Sequence, residues 1–407
     1  MQRFGGVVIP MQQVFNDIKY LVGNREILKQ METVRTLPLF SDMALNFLDC
    51  LSKKLMHSTE AKKYPDVAAY AFWIRKASLE KVKLLYKREE QRIGRGVAFQ
   101  VTPSNIPVQF AVSMTYALTA GNASIIRISD RKFEQVDIIC EAIQTILAEI
   151  YTEMSPYICI FRYGHSEEIT QKLTDLCNIR MIWGGNHTID SVRKIPVKAR
   201  CLDLGFADRY SIAIIDSDRY LEKDAAVIAD DFYNDTYFSD QNACSSPRLI
   251  IWTGKQIPKA KEIFWNALEK VVMKRYQMNP ICSSEKLLKT AVCAAKYQDI
   301  KEVKKSNLLV RIELPSLYDD IMDNKGNSGY FFECDVHRLE SIVPIMKNEC
   351  QSITYIGQME DELRKIIINN GVRGVDRIVP VGHAGDLTFV WDGLDLPNIL
   401  SRQIGNS

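Results

Sequence analysis

A chain of 407 residues, 46% hydrophobic and 25% charged, has ordinary globular composition and the length for two or three domains, each with its own core. A formal net charge of +2 leaves no electrostatic footprint for nucleic acid, so that class of partner is excluded. Ten widely spread cysteines without a CxxC pair argue against a zinc site and a disulfide framework; no metal is expected, and a reducing, cytoplasmic compartment is.

The first residues, Met-Gln-Arg-Phe-Gly-Gly, lack the apolar core of a signal peptide, and residues 1–40 read as irregular or weakly paired. From Phe40 the apolar residues Ala44, Phe47, Leu48, Leu51 and Leu55 recur at three- and four-residue steps and predict a helix. A second helix is predicted over 67–92, with Lys81, Lys83, Lys87, Arg88 and Arg92 on a solvated basic face.

Strand–helix alternation begins at Gly94. Strands are predicted at 97–101, 124–129, 157–163 and 178–183, with a further one ending in Leu202-Asp203-Leu204-Gly205. Helices are predicted at 107–119, 133–150, 166–176 and from about 188. The uncharged run from Gly96 to Ile126 carries Gln100, Pro103, Asn105, Pro107, Gln109 and Asn122, too many polar and helix-breaking groups for a membrane span, so it reads as buried protein interior. This pattern is that of a parallel sheet covered on both faces, whose ligands bind beyond the C-terminal strand ends. Thr102, Pro103, Ser104, Asn105, Arg127, Gly184, Gly185 and Asp203 are all expected at or just past such ends. A second α/β domain is expected from 209, with strands at 211–216 and 248–252, helices at 257–275 and 284–297, and a tail strand at 375–380.

Chemistry centres on Phe238-Ser-Asp-Gln-Asn-Ala-Cys244-Ser-Ser-Pro247. A thiol becomes a nucleophile only as thiolate, and no Lys, Arg or His stands beside Cys244, so assistance must come from the fold. Asn105 offers an amide donor near a helix start, a position suited to a developing oxyanion. Gly184-Gly185 before a helix lets backbone approach a pyrophosphate. Arg127 is suited to the extra phosphate of NADP, and Asp203 to a role as acid, base or cofactor contact. His57, His165, His187, His337 and His383 lack metal-ligand spacing and read as structural or surface histidines.

Taken in order, these segments resemble the aldehyde dehydrogenase superfamily, and most closely its LuxC-type acyl-CoA reductases. Gly94-Arg-Gly-Val-Ala-Phe-Gln-Val-Thr-Pro-Ser-Asn-Ile-Pro107 is similar to the segment with the oxyanion-hole asparagine. Ala120-Gly-Asn-Ala-Ser-Ile-Ile-Arg127 is similar to the strand whose basic residue meets the cofactor ribose. Ile182-Trp-Gly-Gly185 stands at the cofactor-phosphate turn. Cys201-Leu-Asp-Leu-Gly205 stands where aldehyde-oxidising members carry a glutamate. Asp240-Gln-Asn-Ala-Cys244 matches the nucleophile segment, and Gly374-Val-Asp-Arg-Ile-Val-Pro380 through Trp391-Asp-Gly393 the closing segment of the acyl-CoA reductases.

The resemblance implies a Rossmann-type cofactor domain with N-terminal helices at 1–208, a second α/β catalytic domain at 209–375, and a segment 376–407 that packs back on the core or on a partner subunit. It implies catalytic Cys244, Asn105 and Asp203, cofactor contacts from Thr102, Pro103, Ser104, Arg127, Gly184 and Gly185, and NADPH as cofactor with NADH the alternative. The implied reaction moves an acyl group from acyl-CoA or another acyl thioester to Cys244 and releases a fatty aldehyde after hydride transfer. Aldehyde oxidation, acyl-phosphate reduction, and an acyl-carrying scaffold for an acyl-protein synthetase-like partner are the alternatives; a homo-oligomer is expected. Asp203 is one methylene shorter than the glutamate it replaces, which suits a reductase that keeps water from the acyl-enzyme. Glu333 is a candidate ribose contact, against a plain strand-edge glutamate. The aromatics at 232–238 are candidates for an acyl tunnel, against ordinary core.

Overall fold

Apolar residues at helical spacing need a surface to cover, and the N-terminal third supplies one. The computed structural model describes residues 18–86 and 91–405. It opens with strand β1 (Lys19–Val22) and helix α1 (Arg25–Gln30), whose cap Asn24 accepts the Ile27 N–H. Helix α2 (Asp42–His57) is capped by Ser41 and buries Ala44, Phe47, Leu48, Leu51 and Leu55, the residues that predicted it. The helix expected over 67–92 is broken into α3 (Pro65–Trp73) and α4 (Lys76–Lys83). Arg75 between them is extended, and the Lys76 N–H donates to Asp49 Oδ1. Leu84 and Leu85 are 81% and 77% exposed, so no apolar face continues the helix. Lys87 and Arg88 lie outside the described residues, and Arg92 opens strand β2 (Arg92–Gly94).

The alternating region then builds β3 (Val97–Val101), α5 (Gln109–Thr119), β4 (Ala123–Ile128), α6 (Glu134–Glu149), β5 (Ile158–Arg162), α7 (Glu167–Leu176), β6 (Ile179–Trp183), α8 (Asn186–Arg193) and β7 (Leu202–Phe206). The sheet order is β1-β5-β4-β3-β6-β7, parallel except for β1 at the edge. From β3 in the sheet interior the chain winds out through β4 and β5 and returns beside β3, so the switch point of this doubly wound sheet lies between β3 and β6. Every residue of α5 is buried, which explains the long uncharged run. Among the described residues no helix is long and apolar enough to cross a membrane. Gly121 ends α5 with φ +85°, where a Cβ would meet the Leu37 carbonyl oxygen at 2.0 Å.

From Asp208 to Asp386 the chain forms a second compact unit; the first comprises the residues up to Ala207 and those from Leu387. The second contains β8 (Tyr210–Asp216), α9 (Ser217–Tyr220), α10 (Ala225–Asp235), β9 (Pro247–Thr253), α11 (Ile257–Arg275), α12 (Ile281–Lys296), β10 (Lys301–Ser306), β11 (Leu309–Leu314), β12 (Tyr330–Asp335), β13 (Cys350–Ile356), α13 (Glu360–Asn369) and β14 (Arg377–Pro380). Its order is β10-β11-β12-β9-β8-β13-β14, parallel except for β10. Along β8 and β9, Ile212, Ile214, Leu249 and Ile251 enter one apolar layer, and Ala213, Ile215, Ile250 and Trp252 the other. A sheet buried on both faces follows from strands whose central residues are apolar on both sides.

After Leu387 come β15 (Val390–Trp391), β16 (Leu394–Asp395), α14 (Leu396–Leu400) and β17 (Ser401–Gln403), which pairs antiparallel with β2. Arg95 Nε donates to the Ile399 carbonyl at 2.8 Å and Asn122 Nδ2 to that of Leu400 at 3.0 Å, so this segment belongs to the first unit.

Candidate active site

Cys244 lies in the loop between α10 and β9. Ala243 to Ser246 forms a tight turn closed by Ser246 N–H to Ala243 O at 3.0 Å, and Cys244 is its second residue. Ser211 Oγ, on β8, donates to the Cys244 carbonyl at 2.7 Å and contacts Ser352 Oγ, on β13, at 2.7 Å. Six of the ten cysteines are buried, whereas Cys244 is half-buried. Burial pushes the thiols of Cys140, Cys159 and Cys350 up, so those are inert as nucleophiles.

Sequence reasoning missed Arg248. It stands four residues after Cys244 and was read only as the start of a strand. It is 4% exposed, and the Cys244 sulfur and the Asp208 carboxylate favour its cation against the cost of burial. A charged residue heading the apolar run Leu-Ile-Ile-Trp252 was the available signal.

In the first unit, Thr102 and Arg127 sit together at the C-terminal edge: the Thr102 N–H and hydroxyl both donate to the Arg127 carbonyl at 3.1 Å. Pro103, Ser104 and Asn105 continue that loop. Asn105 is exposed, and its amide makes no hydrogen bond to the described residues. Arg127 donates to the Tyr163 carbonyl at 3.3 Å with its guanidinium 5.3 Å from the Tyr163 ring centre; its buried Nε has no hydrogen-bond partner among the described residues. Gly184 donates to the Phe206 carbonyl at 3.2 Å, and Gly185 caps α8. A Cβ added at Gly185 would meet nothing within 4 Å, so the approach to the α8 N-terminus is open. The first N–H groups of a helix have no acceptor within it and favour an anion.

The placement expected for Asp203 needs correcting. It is the second residue of β7, in register with Arg180, about 10 Å back from the C-terminal edge. The expectation had the strand ending where it begins. Arg180 Nε and one terminal nitrogen donate to Asp203 Oδ1 and Oδ2 at 3.2 and 2.6 Å; Arg193 Nε lies 3.6 Å away. Gly205 lets Arg193 lie close, since a Cβ there would stand 3.0 Å from its guanidinium.

Glu333 is neither at a sheet edge nor open to a ligand. It lies on β12, an interior strand, and is fully buried. Trp252 and Trp265 indoles donate to Oε2 at 3.1 and 3.0 Å, and Arg311 Nε to Oε1 at 2.8 Å. Phe232, Tyr233 and Tyr237 are buried in the core with Phe264 and Phe331, while Phe238 is 43% exposed. His187 is exposed, and His383 Nδ1 lies 2.8 Å from Asp386 Oδ2. Among the described residues, no His, Cys, Asp and Glu cluster is arranged to hold a metal.

Two α/β units, one doubly wound with an open helix N-terminus at its switch point and one with a cysteine on a tight turn between a helix and a strand, define an aldehyde-dehydrogenase-like fold. The fold is similar to methylmalonate-semialdehyde dehydrogenase from Oceanimonas doudoroffii (TM-score 0.62, 11% identity, 88% of this chain and 81% of that one). It is also similar to lactaldehyde dehydrogenase from Escherichia coli (TM-score 0.60, 13% identity, 87% and 80%). The chain belongs to the LuxC acyl-CoA reductase family, whose model matches residues 14–399. It is 23% identical over 305 residues to the long-chain acyl-protein thioester reductase of Aliivibrio fischeri, across 72% of this chain and 61% of that protein. It thus spans about three fifths of that relative's length.

Proposed function

We propose that this chain reduces an acyl thioester to an aldehyde, with Cys244 as nucleophile. The observation that supports this best is a half-buried cysteine on a tight turn anchored to β8 through Ser211, in a member of an acyl-CoA reductase family.

On this reading the Cys244 thiolate attacks the carbonyl carbon of R–CO–S–CoA. The bond to the CoA sulfur breaks, CoA leaves as its thiolate, and Cys244 carries the acyl group. The Asn105 amide and the Cys244 backbone N–H donate to the oxyanion as it forms. When bound, a nicotinamide supplies the hydride that reduces the acyl carbon. The resulting hemithioacetal oxyanion reforms the carbonyl, the carbon–sulfur bond breaks, the aldehyde departs and the thiolate is restored; the CoA thiolate takes up the proton consumed overall.

Thr102, Pro103, Ser104, Gly184 and Gly185 would hold the cofactor, and the open α8 N-terminus suits its pyrophosphate. Arg127, with its unpartnered Nε at the same sheet edge, favours NADPH over NADH, because guanidinium pairs well with phosphate. Asp203 we assign to support rather than to a chemical step: two arginines engage its carboxylate, so it is not available to activate water against the acyl-enzyme. The name of the Aliivibrio relative points to an acyl-protein thioester as a second class of donor, and to long acyl chains.

Incubation with a panel of acyl-CoAs followed by peptide mass spectrometry tests the reading. Acyl mass on Cys244, with aldehyde and free CoA appearing once NADPH is added and both lost in Cys244→Ala, is the expected result. Normal turnover by Cys244→Ala would end the proposal. Acyl transfer onto Cys244 without any cofactor oxidation would instead identify an acyl carrier.

A further inference from the structure

The turn that carries Cys244 is reached through a strained backbone. Asp240 and Gln241 both lie in the left-handed region, with φ of 53° and 54°, a conformation that costs a residue with a side chain roughly 1–2 kcal/mol. Such a pair persists only where its surroundings hold it. Here one buried guanidinium and the segment 326–330 supply most of the long-range hold.

Arg248 donates to the Gly326 carbonyl at 2.6 Å, to Asn327 Oδ1, and to the Gln241 carbonyl. Gln241 extends the bracket: its Nε2 donates to the Pro247 carbonyl at 3.1 Å, and its Oε1 accepts the N–H groups of Gly329 at 2.8 Å and Tyr330 at 3.1 Å. Asn327 Nδ2 donates to Asn242 Oδ1 at 2.8 Å, and the Ser328 N–H to the Asp240 carbonyl at 3.0 Å. Residues 240, 241 and 242 are therefore each fastened to the entry of β12, and Arg248 spans both sides.

The bracket is also charged. Burial disfavours the Arg248 cation; the Cys244 sulfur and the Asp208 carboxylate favour it. Asp208 is already paired with Lys325 at 3.0 Å, and Asp240 accepts the Tyr276 hydroxyl at 2.6 Å.

We propose that Arg248 is the positioning residue of the nucleophile: its hydrogen bonds fix the segment that leads into the Cys244 turn, and it places a permanent positive charge four residues along the chain from Cys244, which favours the thiolate. This rests on the reading of Cys244 as nucleophile. It answers how a cysteine with no adjacent base is activated.

The test is the pH profile of Cys244 alkylation by iodoacetamide, read by peptide mass spectrometry, beside single-turnover acylation by acyl-CoA. Arg248→Gln removes the charge and is expected to raise the alkylation midpoint by about one pH unit, a roughly tenfold slower reaction below the midpoint. Arg248→Lys keeps a charge but cannot span three acceptors; its midpoint stays near that of the parent while acylation slows about tenfold. A folded Arg248→Gln variant with the parental midpoint would overturn the electrostatic role. Should that variant not fold, Arg248→Lys carries the test, and parental acylation by it would overturn the positioning role. An Arg248-dependent midpoint without any acyl-enzyme would retain the present inference and remove the proposed function; acyl-enzyme with an unmoved midpoint would do the reverse.

Discussion

Replacing Asp203 by alanine separates a structural carboxylate from a chemical one. The Arg180 side chain is 1% exposed and that of Asp203 22%. Beyond Asp203, Arg180 donates among the described residues to the Val192 and Ile195 carbonyls alone, at 3.2 and 2.7 Å, so the variant leaves a buried cation underpaired. Breaking a buried pair by removing one partner costs about 3–5 kcal/mol. The partial exposure of Asp203 puts the expectation at the lower end, about 3 kcal/mol, or a fall in melting temperature of about 6–12 °C for a unit of this size. Arg180→Met removes the stranded cation, so the double variant is expected to lose less than the two single losses added, by about 2 kcal/mol. Calorimetry or circular dichroism on the four proteins measures the cycle, and acylation of Cys244 is followed well below every melting point. Asp203→Ala melting like the parent while acylating a hundredfold more slowly would refute the argument and return this carboxylate to the chemistry.

Asp235 makes stability depend on pH. It is buried, accepts the N–H groups of Gly382 and Ala384 at 2.7 and 2.9 Å, and burial pushes its carboxyl up to about 7. A carboxyl that holds its proton more tightly folded than unfolded adds stability as pH falls from about 7 toward 4 and loses it as pH rises again, to a limit of about 4 kcal/mol. The melting temperature of the parent minus that of Asp235→Asn is therefore expected to be larger at pH 5 than at pH 8, and a pH-independent difference would count against it. Asn105→Ala is expected to slow aldehyde formation by about 10²–10³, with the melting temperature within a degree or two because its amide bonds no described residue; steady-state rates and a thermal melt check both.

The first sheet was legible because its signals are local. The runs that became β3, β5 and β6 are apolar at four of five positions, and α6 and α7 carry amphipathic faces with their own start signals. Strand β10 was not legible: Lys-Glu-Val-Lys-Lys-Ser holds one apolar residue and no strand alternation, and pairing with β11 at the sheet edge makes it a strand. Polar groups satisfied over long sequence distances were the other gap. Asp203 is placed by Arg180, 23 residues earlier, and Glu333 by Trp252, 81 residues earlier. Residue type marked both carboxylates as candidates for chemistry, and only the fold reveals the arginines and indoles that occupy them.

The pairing of β17 with β2 has a consequence for how the molecule is made. Strand β2 is translated early, yet β17, its partner in a separate two-stranded sheet of the same unit, follows the whole of the second unit in the chain. On the ribosome, the later unit is thus fully synthesised while the earlier one still waits for its closing strand, and the Leu400 carbonyl that Asn122 needs arrives 278 residues after it.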